Sequence, residues 1–186
     1  MHTCRWIPET APGIEHMALR RDGEAILAEG AVVGDGFGAF YSIRCDHAWC
    51  VRHAVVEVAG HGRIVLSADG AGSWQDGQGV SIPALAGCID IDLTASCFTN
   101  TLPIRRLGDA LAVRQAIDVA YVRIPELSVE TARQAYTRLG ANLVRFESIG
   151  SGFRADLQVD DEGLVVRYPG LFRRTCCCGR APHANA

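Results

Sequence analysis

The chain has 186 residues, 48% of them apolar and 21% charged, the make-up of a globular domain long enough to bury a core. Eighteen basic residues stand against twenty-one acidic ones, for a formal net charge of −3, so bulk electrostatics favour neither a nucleic-acid nor an anionic membrane-surface partner. No apolar run reaches the roughly 20 residues that span a bilayer.

The N-terminal stretch has no basic region followed by an apolar one. No secretory signal is read, and the cytoplasm is the expected compartment. The eight cysteines are therefore expected to be mostly reduced, packed as small apolar groups or left free.

In chain order, the dominant hydrophobic period is two. Residues 24–33, 39–45, 49–58 and 63–68 alternate apolar with polar side chains and read as half-buried strands. Their connections, such as Asp46-His47-Ala48 and Asp69-Gly70-Ala71-Gly72, are too short for helical crossovers, so the sheet is expected to be antiparallel and mostly β. Residues 111–124 and 143–148 read the same way. The clearest hairpin is 153–168: Phe153, Ala155, Leu157 and Val159 alternate inward, Asp160-Asp161-Glu162-Gly163 turns the chain, and Leu164 to Tyr168 returns. Residues 1–175 are expected to form a single domain. The tail from Cys176, with three adjacent cysteines and no periodicity, is expected to be disordered.

Two segments depart from the strand pattern. Around 99–108, Asn100 or Thr101 can cap a helix, Pro103 falls in its first turn and Gly108 can end it, giving about two turns with Arg105 and Arg106 in the last. Residues 128–140 open on Ser128 and close on Gly140 like a helix, yet Val129, Thr131, Tyr136 and Thr137 favour strand.

The chemistry-bearing cluster lies at 87–107. On a strand, Cys88, Asp90 and Asp92 share one face, and two neighbouring carboxylates indoors either raise a pKa or recruit cations, for which Arg105 and Arg106 lie downstream. Three readings follow: ion pairing, a polar anchor for a headgroup, or acid chemistry by Asp90 and Asp92 in a hydrolase-like enzyme on a sugar or acyl substrate. Acids at i and i+2 of one strand do not flank a glycosidic bond, which disfavours the third. Arginine forks and carboxylates suit a polar headgroup, and Trp49, Tyr121, Tyr136, Phe146, Phe153 and Tyr168 can supply an apolar wall. Cys45, His47, Cys50 and His53 lack a second well-spaced dyad, so no metal site is expected. Nucleophile-elbow, phosphate-loop and dinucleotide motifs are missing, and no cofactor is expected.

Several further motifs act together: Glu15-His16; Asp46 with Trp49 and Arg52; Gly70 through Trp74; Gly87-Cys88-Ile89-Asp90-Ile91-Asp92; Thr99 through Leu107; Val119 through Val122; Arg145-Phe146-Glu147; and Tyr168-Pro169-Gly170-Leu171-Phe172. With them the chain resembles, over nearly its full length, the bacterial putative glycolipid-binding family. The resemblance implies a spiral β-roll, a long, mostly antiparallel sheet wrapped around one helix, similar to periplasmic lipoprotein carriers of the localisation-factor type. It places the enclosed helix at Thr99 to Leu107 and makes 128–139 a strand. It also implies a noncatalytic carrier or sensor of a glycolipid or other amphiphile, with a lining of Trp49, Arg52, Asp90, Asp92, Asn100, Arg105, Arg106 and Tyr121. Ser96-Cys97-Phe98 departs from the family pattern, and the cysteine tail has no counterpart in it.

Overall fold

The computed structural model describes residues 1–178. The chain order is β1 (His2–Pro8), β2 (Ile14–Asp22), β3 (Ala25–Gly34), β4 (Phe37–Cys45), β5 (Val51–Val58), β6 (Gly62–Ala68), β7 (Trp74–Asp76), β8 (Asp90–Leu93), helix α1 (Thr101–Leu107), β9 (Gln115–Val122), β10 (Val129–Gly140), β11 (Leu143–Ser148), β12 (Phe153–Val159), β13 (Val165–Tyr168) and β14 (Phe172–Cys178). Tighter 3₁₀ turns at Phe98–Asn100 and Gly108–Ala112 extend α1 at both ends.

All fourteen strands join one sheet in the order β7-β6-β5-β4-β3-β2-β1-β14-β13-β12-β11-β10-β9-β8. The sheet does not close into a barrel; it is the expected spiral β-roll. Neighbours pair antiparallel, with β8 and β9 the parallel exception. That exception follows from the chain between them: a parallel return needs a long crossover, and the helical segment supplies it. The segment 77–89 carries the chain from β7, at one end of the sheet, to β8 at the other. Trp74 fixes it by donating its indole N–H to the Cys88 carbonyl at 2.7 Å.

Period-two burial builds the interior. β3 buries Ile26, Ala28 and Val32, and β12 buries Ala155, Leu157 and Val159, as the alternation expects, whereas Phe153, expected inward with them, is exposed at the start of β12. In β5 the alternation slips between Val51 and Ala54, where the pairing with β4 shifts register after Arg44, as a bulge requires. The hairpin of β12 and β13 and the strand at 143–148 lie where their patterns put them. Residues 111 and 112 belong to the helical extension, so the strand expected from 111 begins at Gln115.

The enclosed helix is α1. Thr101, Leu102, Pro103 and Ile104 are all buried, as in a helix covered by the sheet rather than laid on a surface. Gly108, at φ 51°, ends it, its N–H bonding the Ile104 carbonyl. The start differs from expectation: neither Asn100 nor Thr101 caps with its side chain. The Ser96 hydroxyl takes the Phe98 N–H instead, at 3.1 Å.

Residues 129–140 form β10, with Gln134, Ala135 and Tyr136 buried in succession. Three adjacent buried residues on a strand mean that both faces are covered there. β14 continues through Cys176 to Cys178, its backbone pairing with Arg5 to Thr3 of β1; the rest of the cysteine-containing tail lies outside the described residues. Cys45, Cys50, Cys88 and Cys97 are free thiols, whereas Cys4 is disulfide-bonded. Among the described residues no helix is long and apolar enough to cross a membrane.

Candidate functional site

Asp90 and Asp92 do share a face of β8, and both meet the helical segment, but their surroundings differ. Asp90 is fully buried and held by Arg106, whose Nε and Nη2 donate to its carboxylate at 3.1 and 2.6 Å. This is the bidentate fork that guanidinium geometry favours. Burial nevertheless dominates and raises the Asp90 pKa, with Arg106 opposing it.

Among the described residues, no cation pairs with Asp92. Thr99 donates its hydroxyl to one oxygen at 2.8 Å, and Gln134 donates its amide to the other at 2.6 Å. Behind Gln134 the chain of bonds continues: Asn100 donates to the Tyr136 hydroxyl at 2.9 Å, and that hydroxyl donates to the Gln134 amide oxygen at 3.1 Å. Every proton in this relay points toward Asp92. Burial raises its pKa, against the hydrogen bonds from Thr99 and Gln134. A carboxylate has about four lone-pair positions; two are filled here, leaving capacity for a further donor.

Asp92, Asn100 and Tyr121 all open onto a cavity of about 680 Å³ whose wall also includes Gln134, Ser148 and Ser151. That volume is typical of small-molecule sites. Its apolar side is aromatic: Phe146, Phe153, Tyr168 and Phe172 join Tyr121 on the wall. Phe146 meets Tyr136 and Tyr168 edge-on at centroid distances of 5.4 and 5.9 Å, and Tyr168 meets Phe172 at 6.5 Å. Arg123 lies over the Tyr121 ring at 5.3 Å and pairs with Glu130 at the same cavity. The result is one polar floor and one aromatic wall.

The other expected residues lie elsewhere. Arg106 is engaged by Asp90 and borders a smaller hollow with Arg133. Arg105 turns the other way and stacks over Trp49 at 5.1 Å, and these two residues line a separate groove with Arg20 and Arg21. Arg52 is exposed and pairs with Asp46 at 3.7 Å. The eight residues expected to share one lining are thus divided: three around the aromatic cavity, a closed ion pair, a stacked pair in another groove, and one surface arginine.

Trp49 occupies an unusual backbone position. Asp46, Asp69, Asp76 and Asp160 each accept N–H bonds from the residues two and four places on. In three of these turns the third residue after the aspartate is a glycine of positive φ, namely Gly72, Gly79 and Gly163. In the fourth it is Trp49, at φ 67°, a conformation that costs a non-glycine residue about 1–2 kcal/mol.

Sequence reasoning missed a second buried polar cluster, centred on Glu15. This side chain is 1% exposed, and its Oε1 accepts from Tyr41 at 2.6 Å and from Ser96 at 2.5 Å. Its other oxygen has no hydrogen-bond partner among the described residues. Burial pushes the Glu15 pKa up to about 7, against the bonds from Ser96, Tyr41 and the Cys97 backbone. Tyr41 reaches β2 from β4 by crossing β3 at Gly30, where an added Cβ would lie 2.2 Å from the tyrosine ring. The available signal was Glu15 standing two places before Met17 on one face of β2, an inward carboxyl. Gln134 is legible only once β10 is known to be a strand.

Comparison with known proteins agrees with this architecture. A search of curated proteins gives no match. The crystal structure of a DUF1089 family protein from Pseudomonas aeruginosa is similar at 42% identity, with a TM-score of 0.77, covering 87% of this chain and 92% of that one. A family model described as putative glycolipid-binding matches residues 3–174. The chain belongs to the putative glycolipid-binding family.

Proposed function

We propose that the chain is a noncatalytic carrier or sensor that holds the polar headgroup of a glycolipid in the cavity between Asp92 and the aromatic wall. The observation that carries this reading is the juxtaposition of Asp92, with unfilled acceptor capacity and no cation, and Tyr121, Phe146, Phe153 and Tyr168 on one 680 Å³ cavity. Sugar rings present hydroxyl donors at their edges and apolar C–H faces, and need both kinds of partner at once. The Asn100–Tyr136–Gln134 relay fixes the rotamer of the groups around Asp92, so the acceptor is in place before a ligand arrives. Of the expected lining, Asp92, Asn100 and Tyr121 contact the headgroup in this reading, and Asp90 with Arg106 braces the strand that carries Asp92.

The test is a titration of the protein with a panel of methyl hexosides, read by amide chemical shifts, alongside native mass spectrometry of protein purified from its host. Shifts at Thr94–Ser96 and Ser148–Phe153 are expected. Asp92→Asn should weaken binding about tenfold to a hundredfold, the value of a hydrogen bond to a charged group, and Phe153→Ala should weaken it by less. Silent cavity amides with every hexoside, together with repeated recovery of lipid-free protein, would refute the proposal.

A further inference from the structure

A second hollow, about 250 Å³, opens beside the first at the same end of the roll. Pro12 from the β1–β2 connection, Ile14 at the start of β2, Val33 and Phe37 from the β3–β4 hairpin, and Ala95 form much of it. Its lining is mainly apolar, with Thr10, Glu15 and Asp35 the polar members. Three of the chain's exposed large apolar side chains gather at its rim: Val33 at 58%, Ile14 at 42% and Leu171 at 38% exposed. Such a cluster on a single face is more informative than the same side chains scattered.

The two hollows share a partition. Leu171 and Phe172 line both, and in the turn after β8 Thr94 and Ser96 face the large cavity while Ala95 faces the small one. The large cavity supplies most of the polar contacts, and its aromatic side ends at Phe172; beyond Phe172 the surface is mainly apolar, formed by Ile14, Val32, Val33, Phe37 and Ala95. A molecule with a hydroxylated head in the large cavity therefore meets, past Leu171 and Phe172, a surface suited to a hydrocarbon chain. We infer that the hollow between the β1–β2 connection and the β3–β4 hairpin is a binding subsite for the alkyl or acyl chain of the amphiphile whose head occupies the large cavity. This inference rests on the headgroup reading and adds to it the place and chemistry of the tail.

The subsite gives binding a dependence on chain length. Burying one methylene is worth roughly a fourfold gain in affinity, so affinity should climb along a series of methyl, hexyl and octyl β-glucosides kept below their micellar concentrations. Amide shifts at residues 32–35 and around Ile14 should appear with the hexyl and octyl compounds and not with the methyl one. Shifts at Thr94–Ser96 should appear with all three. Val33→Arg places a charge on the rim and should bring octyl glucoside down to methyl glucoside affinity while leaving the methyl compound unchanged; Ile14→Arg serves as an independent variant. If methyl glucoside binds in the large cavity but the series is flat, the tail subsite is wrong and the headgroup reading survives. If neither hollow responds to any glucoside, both fall. Self-association of the protein that Val33→Arg abolishes, without glucoside shifts at residues 32–35, would assign the hollow to a second copy of the chain and overturn the inference.

Discussion

Glu15 offers the sharpest test of the buried chemistry. Its carboxyl ordinarily titrates at 4.5, and burial in the fold moves it up to about 7. Between those values the folded chain keeps a proton that the unfolded chain has released, so folding stability falls as pH rises. The contribution is most favourable below 4.5 and is lost as pH passes through about 7. Each pH unit of that interval is worth about 1.4 kcal/mol, so between pH 5 and pH 8 the loss is about 2 to 3 kcal/mol. The groups packed against Glu15 do not titrate in this window: Tyr41 and Cys97 are themselves raised well above their ordinary values by burial and by the Glu15 charge, and Ser96 is neutral. Asp90 and Asp92 shift in the same direction as Glu15, so wild type alone does not isolate it.

Glu15→Gln does isolate it. Glutamine keeps an acceptor for Tyr41 and Ser96 and puts an amide where Oε2 now lacks a partner. That amide adds a cost which does not vary with pH. Urea unfolding at pH 5 and pH 8 then reads the difference between the slopes of the two proteins. With an m-value of about 2 kcal/mol/M, the wild-type midpoint should drop by roughly 1 M more than that of Glu15→Gln over this range. Equal pH dependence in the two proteins would show that Glu15 is ionised in the fold at pH 5, and would sink the argument.

Other expectations follow from the same packing. Arg106→Leu strands Asp90 at 0% exposure and should cost about 3–5 kcal/mol by urea unfolding at pH 7; the deficit should narrow toward pH 5 as Asp90 takes up a proton, and a deficit independent of pH would contradict it. Gly30→Ala drives a methyl into the Tyr41 ring and should cost about 1–3 kcal/mol, seen as a lower unfolding midpoint, whereas a neutral effect would mean that Tyr41 moves freely. At Trp49, with φ 67°, both Trp49→Ala and Trp49→Gly should destabilise by removing a buried ring, but glycine should be the more stable of the two by about 1 kcal/mol; the reverse order in thermal unfolding would show that the backbone is relaxed there.

Where apolar alternation was strong, the fold was legible: β3 to β6 and the β12–β13 hairpin lie close to their expected bounds. β1 and β2 were not seen as strands. β1 ends in Pro8, and β2 places Glu15 indoors while Arg20, Arg21 and Asp22 give its second half a surface character. Their strand character depends on neighbours β14 and β3, which local pattern does not reveal. Residues 128–140 show the opposite conflict: local helix formers lose to burial on both faces of β10, and the family resemblance settled what propensity left open.

The site was legible in its residue types but only partly in their grouping. A period of two places Asp90 and Asp92 on one face, and nothing in the sequence says which carboxylate Arg106 will take or that Arg105 will turn to Trp49. Partner residues such as Gln134 and Ser96 become visible only when distant elements are brought together.

The division of labour between the two aspartates follows from how α1 lies against β8. Two residues of strand separate the carboxylates by about 7 Å, and the helical segment from Thr99 to Arg106 is about 10 Å long. Asp92 meets Thr99, at the start of that segment, and Asp90 meets Arg106, near its end, so the helical segment runs opposite to the strand. The long guanidinium side chain makes up the difference in length at one end, and the short threonine hydroxyl does so at the other. One carboxylate is thereby neutralised and sealed, while the other receives only neutral donors and keeps lone pairs facing the cavity. An interior charge without a counter-ion is costly, and its cost is reduced whenever a donor-rich ligand fills the remaining positions. In the proposed reading, hydroxyl groups fill the acceptor positions of Asp92 that bare hydrocarbon cannot, so the large cavity takes the polar end of the amphiphile and the mainly apolar hollow beyond Phe172 takes the rest.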